Sequence, residues 1–415
     1  MKAAWVAVGL LLPGILSAAE TPEAVAIPKA LQPPGTPEIP DERNAVLLLL
    51  KAVSSVNLGE FGDWSKAVGQ MRVGRMPEEP GMLEKASAIH QATRGLAGSE
   101  GLFPLDDPAG GKGLLVVLRL VQSEEMLARA ALVNGRKDEF EQHLATLFAW
   151  DKTFRGASPK LSNLALCGLT AATCFDLMLA DWATCSEPDR KLDEIEARLR
   201  ERTFTREAQV AVLGREHEWE RTYGAPPKFL TLFPPSTPAT FLKPPFDEVE
   251  VKELLKLPYD EQAWVASSTE EFSRMVADLR SGKPAREWWL VTRRIPARTL
   301  DDYRKMPNGL TLLLSEQMES GSILRVLNSI SLMQAQLETA IHWLRAERAG
   351  KEFAAGDPGI AIDPMNGKPL QVDVAARFIR STGVKGKVEG SEEVPGFVGF
   401  HRTLECPALR LPTRR

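Results

Sequence analysis

Residues 114–153 read LLVVLRLVQSEEMLARAALVNGRKDEFEQHLATLFAWDKT, and the periodicity of this stretch decides the predicted fold. Apolar residues recur at helical spacing from about Leu115 to Val133, and a second helical pattern begins at Asp138. Asn134-Gly135 stands between the two patterns and is typical of the end of a helix. Two helices joined by so few residues pack antiparallel, so the stretch predicts a helical hairpin.

The same reasoning, carried outward from the hairpin, predicts a mainly α-helical chain. Further helices are predicted from Asp41, from Met82 to Arg94, from Leu161 to Ala183, after Ser186, from Thr205 to Arg221, from Ser268 to Leu279 and from Leu324 to Arg348. Short strands are predicted at Pro369–Val372 and Arg377–Ser381. The predicted fold is an irregular bundle of helical hairpins with a small β-hairpin in the C-terminal region.

The hairpin also resembles a tetratricopeptide repeat. Leu127, Ala128 and Ala131 on the first helix and Gly135 at the turn carry the resemblance, whereas Phe140 stands where that family has a small residue. The resemblance makes a tetratricopeptide-like array the alternative to an irregular bundle. A regular array is not supported, because the chain has no clean second copy at a period of about 34 residues.

The N-terminus has the pattern of a secretory signal peptide. Lys2 provides the positive charge, residues 3–16 are apolar, and Ser17-Ala18-Ala19 offers a cleavage site. The alternative is a retained membrane anchor, but the apolar run is shorter than the roughly 20 residues of a spanning helix. We therefore expect an exported protein of the periplasm, cell envelope or medium, with no transmembrane span after cleavage of the signal.

Composition divides the chain into six predicted segments. They are a signal peptide (1–19), a Pro-rich tether (20–40), a helical domain (41–225), a Pro-rich connector (226–247), a second helical region (248–349) and a C-terminal region of turns and strands (350–415). The formal net charge is −4, so the chain lacks the basic footprint of a nucleic-acid-binding protein.

The four cysteines leave two alternatives open. Cys406 could form a long-range disulfide with Cys167, Cys174 or Cys185, or all four could be buried thiols that pack as small apolar residues. The close C-x₂-C pairs of a cysteine-based zinc site are absent from the sequence.

Two incomplete motifs predict ordinary surface structure. Residues 110–113 read GGKG but lack the first glycine and the hydroxyl of a phosphate-binding loop, so we expect a surface loop there. His217-Glu218 begins a metalloprotease-like pattern, but Arg221 replaces the second histidine. A solvated helix face is therefore predicted around His217.

The candidate catalytic residues are Glu338, His342 and Glu216. Glu338 and His342 lie four residues apart on a predicted helix and can meet, and Glu216 is the additional carboxylate of an enzyme hypothesis. A lone Glu/His pair is more often a structural hydrogen bond, because a metal or acid–base site needs further convergent groups. No cofactor and no metal site are predicted.

A second candidate surface lies around two adjacent tryptophans. Trp288 and Trp289 are followed by Arg293 and Arg294, which could bind an anionic ligand or a partner. The favoured interpretation is a solvated face with two buried indoles.

Residues 363–370 read DPMNGKPL, which is turn chemistry leading into a strand. With the preceding long helix, this segment resembles the C-terminal part of type II secretion pseudopilins, and the resemblance implies a small β-hairpin. Lys385 and Lys387 replace the acidic calcium-binding turn of that family, so no calcium site is implied. The whole chain also resembles a family of uncharacterised exported bacterial helical proteins that begin with a motif like residues 40–45, which implies architecture and no activity.

These observations favour a non-enzymatic exported helical interaction or scaffold protein, whose partner is another envelope protein. The alternatives are a periplasmic enzyme of an unrecognised helical class and a protein that binds a small anionic ligand.

Overall fold

The computed structural model describes residues 28–31, 39–54, 56, 61–101, 110–156, 161–223, 253, 256–289, 298–317, 320–383 and 409–413. Within these residues the chain forms twelve α-helices and three short β-strands. The helices are α1 (Ala45–Ser54), α2 (Phe61–Arg72), α3 (Met82–Thr93), α4 (Gly110–Val133), α5 (Lys137–Gly156), α6 (Leu161–Trp182), α7 (Pro188–Glu201), α8 (Arg206–Tyr223), α9 (Glu261–Ser281), α10 (Leu300–Arg304), α11 (Gly309–Gln317) and α12 (Ser320–Arg348). The mainly helical fold with a small C-terminal sheet is thereby confirmed.

The predicted hairpin is formed by α4 and α5. Gly135 adopts a φ of 68°, in the left-handed region that glycine enters at little cost. The amide of Arg136 donates to the carbonyl of Ala131 over 2.8 Å, which closes the end of α4. The prediction of a loop at residues 110–113 is wrong, because α4 begins at Gly110. The low helix propensity of its glycines concealed this first turn.

Three helix starts illustrate how capping decides the boundaries. The first helix begins after Asn44, whose Oδ1 accepts from the amide of Val46 over 3.1 Å, and Asp41 instead opens a short 3₁₀ turn. Helix α8 follows Thr205 as predicted, since Thr205 Oγ1 accepts from the amide of Ala208. Helix α9 begins after Asp260, so the predicted start at Ser268 lies inside the helix.

The main core surrounds α6, which was predicted to be central and buried. Helices α4, α5, α7 and α12 contribute apolar side chains around Cys174, Phe175 and Met178, all at most 1% exposed. Three further apolar clusters lie among the described residues. One joins helices α1 to α6, one joins α8, α9, α12 and Leu31, and one joins α9, α10 and α11.

Part of the Pro-rich N-terminal segment packs on the body. Residues 29–31 form a 3₁₀ turn, and Leu31 is 1% exposed against α8 and α9. A Cβ at Gly214 would lie 3.2 Å from the Leu31 carbonyl oxygen, so the two backbones are in close approach. These residues are packed and are not part of a free tether. The signal peptide and the connector at 226–247 lie outside the described residues.

The C-terminal region forms an antiparallel sheet of three strands: β1 (Gln371–Asp373), β2 (Phe378–Arg380) and β3 (Leu409–Arg410). Val372 faces Ile379 across the β1–β2 pair, which confirms the predicted hairpin. Its turn is organised by the buried Asp363, whose Oδ2 accepts from Asn366 Nδ2 and Ser381 Oγ over 2.7 Å each.

Cys167 and Cys174 are buried free thiols on α6, and the half-buried Cys185 donates from Sγ to the carbonyl of Trp182 over 3.4 Å. Cys406 lies outside the described residues. None of the helices in the described part of the chain is long and apolar enough to cross a membrane.

Candidate metal centre

A cluster of two histidines and one glutamate lies where α3 meets the α4–α5 hairpin. Glu124 is in the middle of α4, His143 is on α5 and His90 is on α3. Within the described residues, this is the one group of three or more potential ligands whose ligand atoms converge. Two of its three members belong to the hairpin that the sequence predicts.

Each of the three side chains lies on a helix face that is otherwise apolar. On α3, His90 follows the buried Ala86 and Ile89 at helical spacing. On α5, His143 shares the buried face with Phe140 and Leu147. Helix packing therefore carries the polar groups inward, because burial of their apolar neighbours fixes the orientation of each helix.

The three side chains form a symmetrical arrangement around the carboxylate. Nδ1 of His90 lies 2.8 Å from Oε1 of Glu124, and Nδ1 of His143 lies 2.9 Å from Oε2. The two imidazole rings meet edge to face, with centroids 4.7 Å apart. Glu124 is fully buried, and His90 and His143 are 5% and 9% exposed.

Opposing effects act on the charge of Glu124. Burial raises the pKa of its carboxyl, but the hydrogen bonds and charge interactions with His143 and His90 outweigh burial and hold the pKa below its ordinary value. The carboxylate is therefore ionised. Since an ionised carboxylate only accepts hydrogen bonds, both Nδ1 atoms donate to it in the metal-free protein. A metal ion at Nδ1 would displace these protons, and each neutral ring would then carry its proton on Nε2.

The donor set fits a divalent transition metal. Imidazole nitrogen and carboxylate oxygen are ordinary zinc ligands, at about 2.0–2.2 Å from the ion. All three ligand atoms lie within 4.8 Å of one another, so a movement of the side chains can bring them to the bonding distance of a single ion. The N–O separations of 2.8 and 2.9 Å must open by roughly half an ångström for tetrahedral angles at such bond lengths, which small side-chain rotations supply.

The neighbouring Glu125 belongs to a separate ion-pair network. Arg72 on α2 donates to both of its carboxylate oxygens, and Nε of Arg129 donates to Oε1 over 2.9 Å. Arg129 in turn pairs with Asp176 on α6. The two adjacent glutamates of α4 thus face different partners, Glu124 the histidines and Glu125 the arginines.

The structure does not bring the predicted catalytic residues together. His342 Nε2 bonds Asp357 Oδ1 over 2.8 Å at the surface, and in the described part of the chain no hydrogen bond joins it to the exposed Glu338. Glu216 is buried on α8 and does not belong to a convergent ligand cluster with them.

The face around His217 is buried, so the prediction of a solvated face is wrong there. His217 is 1% exposed, and its Nε2 lies 3.0 Å from Thr269 Oγ1 of α9. Packing of α9 on α8 covers His217 and Glu216, whereas Glu218 and Arg221 are exposed.

The tryptophan–arginine surface is described only in part. Trp288 is buried and its Nε1 donates to the carbonyl of Lys283, while the half-buried Trp289 carries the guanidinium of Arg274 over its ring at 4.3 Å. Arg293 and Arg294 lie outside the described residues.

Sequence reasoning missed the cluster because its members have no shared motif. His90 and His143 are 34 and 19 residues from Glu124, and each comes from a different helix. The available signal was weak: a histidine on the apolar face of α5 and a pair of glutamates within the apolar pattern of α4. Comparisons of the chain with models of protein families, with curated proteins and with solved structures gave no match.

Proposed function

We propose that this chain is an exported helical protein that binds one divalent transition metal ion at His90, Glu124 and His143. The observation that carries the proposal is a fully buried carboxylate whose two oxygens each face an imidazole nitrogen. Zinc is the ion we propose, because two imidazole nitrogens and one carboxylate oxygen are an ordinary zinc ligand set.

The position of the cluster favours metal binding over a purely structural network. Burying a carboxylate costs free energy, and packed apolar residues in its place are often as stabilising or more so. A favourable interaction must therefore offset the cost of burying three ionisable side chains in an apolar setting. Metal binding can offset it, because the binding free energy adds to the folding free energy.

The burial of the ligands supports a structural, storage or sensing role. Three protein ligands leave a fourth coordination position of zinc for water, and in catalytic sites this position is open to substrate. The side chains of His90 and His143 are 6% and 11% exposed and that of Glu124 is fully buried, so the protein encloses the site on most sides. The proposal therefore keeps the non-enzymatic role and the envelope partner that the sequence predicts.

The test is metal binding by the full chain after removal of metals with a chelator. Titration calorimetry with Zn²⁺, and absorption spectra with Co²⁺, are expected to give one site per chain. Glu124→Gln keeps the size of the side chain but removes its charge, and we expect it to weaken Zn²⁺ binding by at least about tenfold.

The matched control is His342→Ala, which removes a histidine from another histidine–carboxylate pair, at the surface. This control should leave the affinity unchanged. The proposal fails if the wild-type chain takes up no metal, or if Glu124→Gln binds as tightly as the wild type while remaining folded by circular dichroism.

Export is tested separately. Fractionation of cells that express the full gene, followed by mass spectrometry of the N-terminus, is expected to give a chain beginning near Glu20 outside the cytoplasm. A chain that keeps Met1 in the cytoplasmic fraction would contradict export and leave metal binding unaffected.

A further inference from the structure

Glu125, the residue after the ligand Glu124, is held more firmly than a side chain in a surface ion pair. The side chain of Glu125 is 2% exposed, and Arg72 approaches it with Nε 2.7 Å from Oε1 and Nη2 2.9 Å from Oε2. Such a two-pronged contact fixes direction as well as distance, because the guanidinium and the carboxylate must lie in one plane.

The network extends through Arg129, which is one turn further along α4. Its Nε donates to Oε1 of Glu125, and its other end pairs with Asp176 on α6. Arg72 comes from α2, so the contacts of Glu125 and Arg129 tie α4 to two helices that carry no metal ligand.

The consequence for Glu124 follows from helix geometry. Consecutive residues of an α-helix point about 100° apart, so fixing the direction of one side chain fixes the direction of the next. Holding Glu125 toward Arg72 sets the rotation of α4 that turns Glu124 between His90 and His143. Both oxygens of Glu125 are also engaged by guanidinium groups, which keeps it from competing for the metal.

We propose that Glu125 and Arg72 are positioning residues of the metal site: their ion pair orients Glu124 between the two histidines. This inference rests on the proposed function. It assigns a role in metal binding to Arg72, whose side chain is 49% exposed and which belongs to neither the hairpin nor α3.

The test compares Arg72→Met with Arg280→Met. Both changes keep the length of the apolar stem and remove one two-pronged arginine–glutamate pair, but the pair of Arg280 with Glu207 joins α8 and α9 at the surface. Arg72→Met is expected to weaken Zn²⁺ binding by about 10- to 100-fold and to alter the Co²⁺ absorption bands, as outer-shell changes do. Arg280→Met should change neither.

A second readout needs no metal. In the metal-free protein, the NMR signals of the His90 and His143 rings report on their contact with Glu124. We expect them to shift in Arg72→Met and to stay in place in Arg280→Met. Arg72→Lys keeps the charge without the two-pronged geometry and should give an intermediate affinity. This milder variant decides the question if Arg72→Met does not fold.

The outcomes separate the two proposals. If the wild-type chain binds no metal, the proposed function fails, and the ring signals alone then decide whether Arg72 orients the cluster. If the wild type binds metal and the Arg72 variants match it in affinity, Co²⁺ spectrum and ring signals, the positioning role is overturned and metal binding stands.

Discussion

Nδ1 of His143 lies 2.9 Å from Oε2 of Glu124, so the two helices of the predicted hairpin are joined by a buried polar contact as well as by apolar packing. A contact of this kind specifies how the helices are rotated against each other, because a buried carboxylate must face its donors. Metal binding would reinforce the same junction and extend it to α3 through His90.

Metal binding should therefore stabilise the whole helical unit. With free Zn²⁺ at 100 times the dissociation constant, the free energy of unfolding is expected to rise by about 2.7 kcal/mol. Thermal melts in increasing Zn²⁺ should show a rising Tm in the wild type and in His342→Ala, but not in Glu124→Gln. An equal rise in all three proteins would mean that the ion acts elsewhere.

A buried ion-pair network around Asp151 is expected to matter for stability. The carboxylate is 1% exposed and accepts from Nε of Arg155 over 3.1 Å and from Nε of Arg202 over 2.8 Å. Breaking a buried pair leaves uncompensated charge, so Asp151→Asn should lower the free energy of unfolding by about 3–5 kcal/mol.

The matched control for Asp151 is Glu207→Gln, which removes the carboxylate of an exposed pair with Arg280. Exposed pairs contribute little, and this control should change the free energy of unfolding far less than Asp151→Asn does. Urea denaturation measures both variants. Similar losses in the two would contradict the importance assigned to burial of Asp151.

His217 should make stability depend on pH. Burial, with a smaller contribution from Arg221, lowers its pKa from 6.5 to about 4. The unfolded chain then binds more protons than the folded chain between these values, so the free energy of unfolding falls as the pH drops from about 6.5 toward 4. The full loss is at most about 3–4 kcal/mol, from the size of the shift.

The measurement is urea denaturation at pH 7 and pH 4.5 in the wild type and in His217→Gln. The variant loses the titrating group and should show a smaller decrease in the free energy of unfolding between the two pH values. If the wild type and His217→Gln show the same pH dependence, His217 is not a source of the pH dependence of stability.

The parts of the fold that the sequence predicts are those encoded by local signals. Asn134-Gly135 ends a helix through its own backbone preferences, without help from tertiary contacts. The DPMNGKPL segment likewise forms its turn from its own side chains. Strand β3 was not predicted, because two residues that pair with β2 from the far end of the chain have no local pattern.

The candidate site could not be predicted for a related reason. Four-residue spacing on α12 allows Glu338 and His342 to meet, but it does not prevent another residue from bonding His342 instead. Asp357, in the loop after α12, forms that hydrogen bond with His342. Gly359 lies so close to the imidazole that a Cβ would overlap the ring. Convergence of His90, Glu124 and His143 depends on the packing of three helices, which no spacing within the sequence encodes.

The turn that opens the C-terminal sheet depends on the carboxylate of Asp363. Its Oδ1 accepts from the amide of Met365 over 2.9 Å, and its Oδ2 accepts from Asn366 Nδ2 and from Ser381 Oγ. Asp363→Ala would remove this acceptor from the amide of Met365 and from Ser381 Oγ, at about 1–3 kcal/mol for each group that water does not reach, while Asn366 Nδ2 keeps its other acceptors. We expect hydrogen exchange to accelerate at residues 363–383 while α4 and α5 stay protected.

Asp373→Ala is the control, because Asp373 is exposed and accepts only from the nearby amide of Ala376 among the described contacts. Equal acceleration in both variants would mean that the strands, and not the Asp363 turn, set the stability of this region.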